Sequence, residues 1–212
     1  MVQQVIQHHL GATPSFIIVK NRDDTQSWLV GMTALGWTKN LHLNETSAVE
    51  TTTNIWNDTA PTSTVFTVGT NTKCNTDDED YIAYVFAEKT GYSKFGTYEG
   101  NSSSDGTFVY TGFKPAWLLV KAASGSQTPQ NQSWPMWDNK RSSTGGNNEN
   151  SYKLYANATD AEATSAIAQV DLVSNGFKFR NSTHQSNSSN TYVYMAFGQS
   201  LVGSNNVPAT AR

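Results

Sequence analysis

Two stretches of this chain read alike. Pro14-Ser-Phe-Ile-Ile-Val-Lys20 and Pro115-Ala-Trp-Leu-Leu-Val-Lys121 each set a proline before a short apolar run closed by lysine, 101 residues apart. A Ser-Trp pair follows each, at Ser27-Trp28 and Ser133-Trp134. Leu41-His-Leu-Asn-Glu-Thr-Ser-Ala48 then matches Leu154-Tyr-Ala-Asn-Ala-Thr-Asp-Ala161, and Phe66 to Glu88 matches Phe177 to Gln199 without a gap at an offset of 111. The offset changes only inside polar loops, while the apolar runs stay in step. That pattern predicts one supersecondary unit copied once. The units run over 6–90 and 109–199, with a joint over 91–108 and a C-terminal tail over 200–212.

The copied unit is made of strands. Ser15 to Lys20 is a short, β-branched apolar run, the signature of a strand buried on both faces. Lys39 to Asn44 alternates, with Leu41 and Leu43 on one side and Asn40 and His42 on the other. Tyr92 to Glu99 also alternates, and Thr107 to Phe113 returns from a turn cluster. Roughly ten to twelve short strands separated by turn signals predict an all-β sandwich or barrel. No βαβ spacing occurs. Asp160 to Ala168, alanine-rich behind a possible Asp160 cap, is the best helical segment. Glu45 to Asn54 reads as a loop with one helical turn. The joint holds strands and a tight turn rather than a linker, which favours a single sandwich domain over 1–212.

Composition excludes several functions. The net charge is −3 and charged residues make up only 15%, so there is no basic stripe for a nucleic-acid backbone. No apolar run approaches the ~18 residues of a membrane span, and the N-terminus has no signal-peptide pattern. The lone Cys74 rules out an internal disulfide. It sits in a polar loop with no histidine nearby in sequence, and reads as an inert thiol. Strand-borne carboxylates Glu88 and Glu99 are the only glycosidase candidates, and Gln199 stands where the second unit should repeat Glu88. His8 and His9 face opposite sides of a strand, and His42 and His184 have no partners in sequence. No nucleotide, hydrolase or cofactor fingerprint occurs, so neither catalytic residues nor a cofactor is expected.

Two clusters remain. Asp77, Asp78, Glu79 and Asp80 form an oxygen-rich run that fits a solvated hairpin tip better than a Ca²⁺ loop. Trp134-Pro-Met-Trp137-Asp138, followed by Asn139, could set aromatic faces beside an amide and a carboxylate, as sugar sites do. Trp134 reads as core, as Trp28 does in the first unit. Trp137 fits core or platform.

Several stretches resemble a domain of unknown function found in tail-fibre and other virion proteins of marine bacteriophages. They are His9 to Lys20, Trp56-Asn-Asp-Thr-Ala-Pro-Thr-Ser-Thr-Val-Phe66, Tyr81 to Glu88, Gly91 to Lys121 and Asn205-Asn-Val-Pro-Ala-Thr-Ala-Arg212. The resemblance implies an antiparallel, lectin-like (jelly-roll) β-sandwich at the surface of a virion. It implies a non-enzymatic tail-fibre or adhesin module that binds host-cell glycan. A decoration protein touching only other virion chains is the alternative, and a polysaccharide depolymerase a more distant one. Fibres of this kind imply self-association, a homotrimer being the usual form. The chain departs from the pattern in starting directly before the domain and in a longer insertion at Ala122 to Gln132.

Overall fold

Residues 2–124, 133–141, 149–164, 170–182 and 186–199 are described by a computed structural model. The described residues contain strands and turns and no helix. The chain forms two compact units, residues 1–88 and 89–212.

The first unit holds β1 (Gln4–Gln7), β2 (Phe16–Asn21), β3 (Leu29–Met32), β4 (Lys39–His42), β5 (Glu50–Thr51), β6 (Val65–Val68) and β7 (Tyr81–Phe86). Five of them form a sheet in the order β5-β4-β3-β2-β7, and β1 pairs with β6. All pairings are antiparallel. The run Phe16-Ile-Ile-Val19 offers no polar alternation and so has no face to give to water. It makes β2 buried on both sides, as its sequence predicts. Ile17, Val19 and Leu29 of the large sheet pack against Phe66 and Val68 of β6, with Trp37, Ile55, Trp56 and Cys74 between them. Each such fully buried side chain contributes about 1.5–3 kcal/mol.

The second unit holds β8 (Ser93–Glu99), β9 (Phe108–Tyr110), β10 (Pro115–Ala122), β11 (Pro135–Asp138), β12 (Glu149–Asn150), β13 (Tyr152–Tyr155), β14 (Ala163–Thr164), β15 (Val170–Val173), β16 (Gly176–Phe179) and β17 (Thr191–Gly198). One antiparallel sheet runs β14-β13-β11-β10-β17-β8 and the other β12-β15-β16-β9. Leu118, Val120 and Ala122 of β10 and Tyr192, Tyr194 and Ala196 of β17 face Val170, Leu172, Phe177 and Phe179 of the other sheet. The stretch read as a joint supplies β8 and β9, and both belong to this unit.

Two local expectations are corrected. The helix expected over Asp160 to Ala168 is absent from its described part. Ala163 and Thr164 form β14, paired with Lys153 and Tyr152. Alanine propensity is worth only tenths of a kcal/mol per residue, less than a strand pairing within a packed sheet; residues 165–169 lie outside the described set. The helical turn expected within Glu45 to Asn54 is replaced by β5, whose Glu50 and Thr51 pair with Asn40 and Lys39. The tail over 200–212, His184, and most of the insertion at Ala122 to Gln132 also lie outside it.

Candidate functional site

The aromatic cluster of the second unit faces inward. Trp134 and Trp137 are each 1% exposed. Trp137 lies on β11 beside Leu118 of β10, and its ring packs edge-on against Phe179 at 6.1 Å. No ring face at either position is open to a ligand, because alternation on β11 turns Trp137 toward the interior of the sandwich. Asp138, next along the strand, points the other way. Its carboxylate accepts from the backbone N–H groups of Lys140 and Arg141, both at 2.9 Å, and pairs with the Arg141 guanidinium at 2.8 Å. Asn139 is half-buried, and its N–H donates to the carbonyl of Ala116. Together these residues form a turn and part of a core. Trp28 is only half-buried; its ring stacks on Tyr84 at 6.3 Å.

The acidic run lies in the first unit, between β6 and β7. Its four carboxylates have separate tasks. Glu79 accepts from the Asn21 side-chain amide and, at 3.2 Å, from the Tyr81 hydroxyl. Asp80 lies 3.9 Å from Arg22 at an exposed pair, a contact worth under ~1 kcal/mol. Asp77 and Asp78 are exposed, and Asp78 holds a left-handed backbone at φ 60°. Among the described residues no three acidic, histidine or cysteine side chains converge as metal ligands would.

What this run does is rim a cavity of about 440 Å³. Gln4 and Ile6 of β1, Phe66 and Val68 of β6, Val19 of β2 and Tyr81 and Ala83 of β7 line it. Cys74 and Asn75 complete the lining, and Thr76, Asp77, Asp78 and Glu79 lie at its acidic end. The opening follows from topology. β7 ends the five-stranded sheet and β1 ends its pair, and no described strand joins the two sheets. Tyr81 is fixed at the rim because its hydroxyl accepts from the Thr76 N–H at 2.9 Å and from Asn21 at 3.1 Å. Cys74 is buried, its thiol 3.4 Å from the Asn71 carbonyl, and desolvation pushes its pKa up to about 11. A thiol held protonated is a poor nucleophile.

A second polar cluster sits beside β4. The buried His42 places Nδ1 2.8 Å from Glu45 and Nε2 3.7 Å from Glu50. Asn40 lies 3.2 Å from the same Nε2. Burial works to raise the Glu45 carboxyl, but hydrogen bonds from Ser27 and His42 override it and hold its pKa at about 2. Serine, histidine and glutamate are all present, yet Ser27 donates to Glu45 and not to His42. A triad needs the histidine on the serine. This cluster ties the β4–β5 turn to β3 instead. Neither the cavity nor this cluster is visible in sequence as a motif, since each gathers residues from four or more segments.

Residues 2–200 match the family model of a domain of unknown function, DUF7483. The chain belongs to that family. No curated protein and no solved structure matches it. Within this DUF7483 domain, the acid-rimmed cavity beside β7 is a concave surface of a size that could admit a side chain.

Proposed function

We propose that this chain is a non-enzymatic structural module of a bacteriophage virion, built by duplication of one β unit and joined to other virion chains through its sheet edge. The virion part of the reading draws on the resemblance of the stretches quoted above. The contact mode draws on β7. Its sequence, Tyr-Ile-Ala-Tyr-Val-Phe, has no charge, proline or bulge, and among the described residues its only strand neighbour is β2. Ile82 and Tyr84 are 38% and 41% exposed. An apolar, unguarded edge is a template for pairing with another chain, and that is the observation that carries the proposal.

The duplication is supported by register. In the first unit Phe16, Ile18 and Val19 pair with Phe86, Tyr84 and Ala83; in the second Trp117, Leu119 and Val120 pair with Phe197, Met195 and Tyr194. Offsets of 101 and 111 carry each pair onto its counterpart. The strand orders β5-β4-β3-β2-β7 and β14-β13-β11-β10-β17 agree likewise, as do the pairs β1-β6 and β9-β16.

Host-glycan binding is the second reading. What favours it is the stacked pair of a half-buried Trp28 and an exposed Tyr84, an aromatic surface of the kind sugars use. Gold-labelled antibody on intact particles separates the two. Label at every lattice position of head or tail supports a structural module. Label confined to a tail tip, with retention on a glycan array that Trp28→Ala abolishes, supports the adhesin. Unlabelled particles would overturn both. Sedimentation of the purified chain checks the trimer that the resemblance implies.

A further inference from the structure

The cavity of the first unit has a counterpart in the second that is full. At the constant offset of 111, Phe66, Val68, Tyr81 and Ala83 correspond to Phe177, Phe179, Tyr192 and Tyr194. Those four residues surround the ring of Tyr98, with centroids at 6.0, 5.4, 5.0 and 6.4 Å respectively. Tyr98 is carried by β8, which lies antiparallel along the outer edge of β17 from Thr191↔Glu99 to Phe197↔Ser93. Its hydroxyl donates to the Ser186 carbonyl at 2.6 Å. In the first unit β7 takes the place of β17, and no described strand takes the place of β8. Two of the four wall residues are also smaller there, Val68 for Phe179 and Ala83 for Tyr194.

We propose that β7 and the cavity beneath it are an acceptor site for an extended strand of a partner polypeptide, added antiparallel, with an aromatic side chain seated in the cavity and basic residues directly after it. The direction of the strand follows from β8 on β17. An aromatic residue opposite Tyr81 places the next residue opposite Asp80, and those beyond it pass Asp77, Asp78 and Glu79. The second unit has the uncharged Ser188, Ser189, Asn190 and Thr191 at these four places, and β8 there carries Glu99. The acidic rim of the first unit repels such a glutamate and attracts lysine or arginine, which disfavours β8 of a second copy as occupant. Main-chain bonds to a free edge supply affinity and the pocket for one alternate side chain supplies selectivity. The proposal rests on the duplication and not on the virion reading.

The test uses a synthetic peptide with the sequence of Ser93 to Tyr98 followed by two lysines. Titration into the full chain should give saturable binding that weakens with salt, and hydrogen exchange of the β7 amides should slow. Replacing the peptide's tyrosine by alanine should weaken binding by about tenfold or more, given what burying an aromatic ring contributes. Ala83→Trp should block binding while the melting temperature holds. If that variant fails to fold, Asp77→Asn with Asp78→Asn serves instead, since asparagine tolerates the left-handed backbone at 78, and it should remove most of the salt dependence. No binding at millimolar peptide, binding without protection along β7, equal binding of free tyrosine amide, or self-association through β7 would each overturn the proposal. An experimental structure in which Ala83 failed to superpose on Tyr194 would instead remove the duplication.

Discussion

On the proposed duplication, Gly31 of the first unit corresponds to Trp137 of the second. The pairs Ile18↔Val30 and Leu119↔Met136 set β3 against β11 at an offset of 106, which carries Trp28 to Trp134 and Gly31 to Trp137. In the second unit the large side chain stands on the strand. In the first the strand is bare, and Trp37 and Trp56 come from loops to fill the space. A Cβ at Gly31 would lie 2.6 Å from the Trp56 ring and 2.7 Å from Trp37. Gly31→Ala should therefore destabilise the chain by about 1–3 kcal/mol through overpacking, read as a lower urea midpoint with an unchanged slope. This exchange explains why the fate of Trp137 was not legible in its own sequence neighbourhood. A tryptophan on a strand is core or platform according to what the opposite sheet leaves room for. On the proposed duplication, the signal for the cavity was present but faint, in Val68 and Ala83 at the positions of Phe179 and Tyr194.

At the scale of elements, turns are held as firmly as strands. The connection from β8 to β9 is anchored by the buried Asn187, whose amide shares its two N–H donors among Asn101 Oδ1 at 2.9 Å, the Ser103 carbonyl at 2.9 Å and the Asn181 carbonyl at 2.6 Å. Its oxygen accepts from the Asn101 N–H at 3.2 Å. Asn187→Ala strands several of these groups, and buried unsatisfied groups cost about 1–3 kcal/mol each. The expected loss is about 2–4 kcal/mol, with faster hydrogen exchange over residues 101–107 as the local readout. A buried asparagine of this kind also gives no access to a glycan, although Asn187-Ser-Ser reads as an acceptor. Strands were legible where the pattern was strong, as in β2, β4 and β8. The short pieces β5 and β14 were not, because two-residue strands owe their existence to a neighbour and not to their own residues.

Across the whole molecule, buried charge shapes the response to pH. Lys121 and Lys153 are both buried, and desolvation brings each pKa down to about 8. Between about 8 and 10.5 the unfolded chain holds protons on these lysines that the folded chain has released, so unfolding takes up protons and stability rises with pH. Below 8 both states are charged and the burial penalty is present in full. On the acid side Glu45 gives the same slope, because its folded pKa is again the lower one, although here folding favours the charged form. Its folded pKa is about 2 against an unfolded 4.5, so its contribution is present above 4.5 and lost as pH falls toward 2. Thermal melts from pH 7 to 10.5 should show the rise, and Lys153→Met should stabilise the chain by about 1–3 kcal/mol at pH 7 while flattening part of it.

The amino-acid order alone determined that this chain is sheet and where its longer strands lie. Those properties are written in periods of two and in runs of a few residues, which a chain carries locally. Only the tertiary structure decided which sheet edge is covered, which tryptophans are interior, and that an acidic loop borders a hollow. Each of these depends on a neighbour tens of residues away, and the space a side chain finds is set by what the opposing sheet supplies.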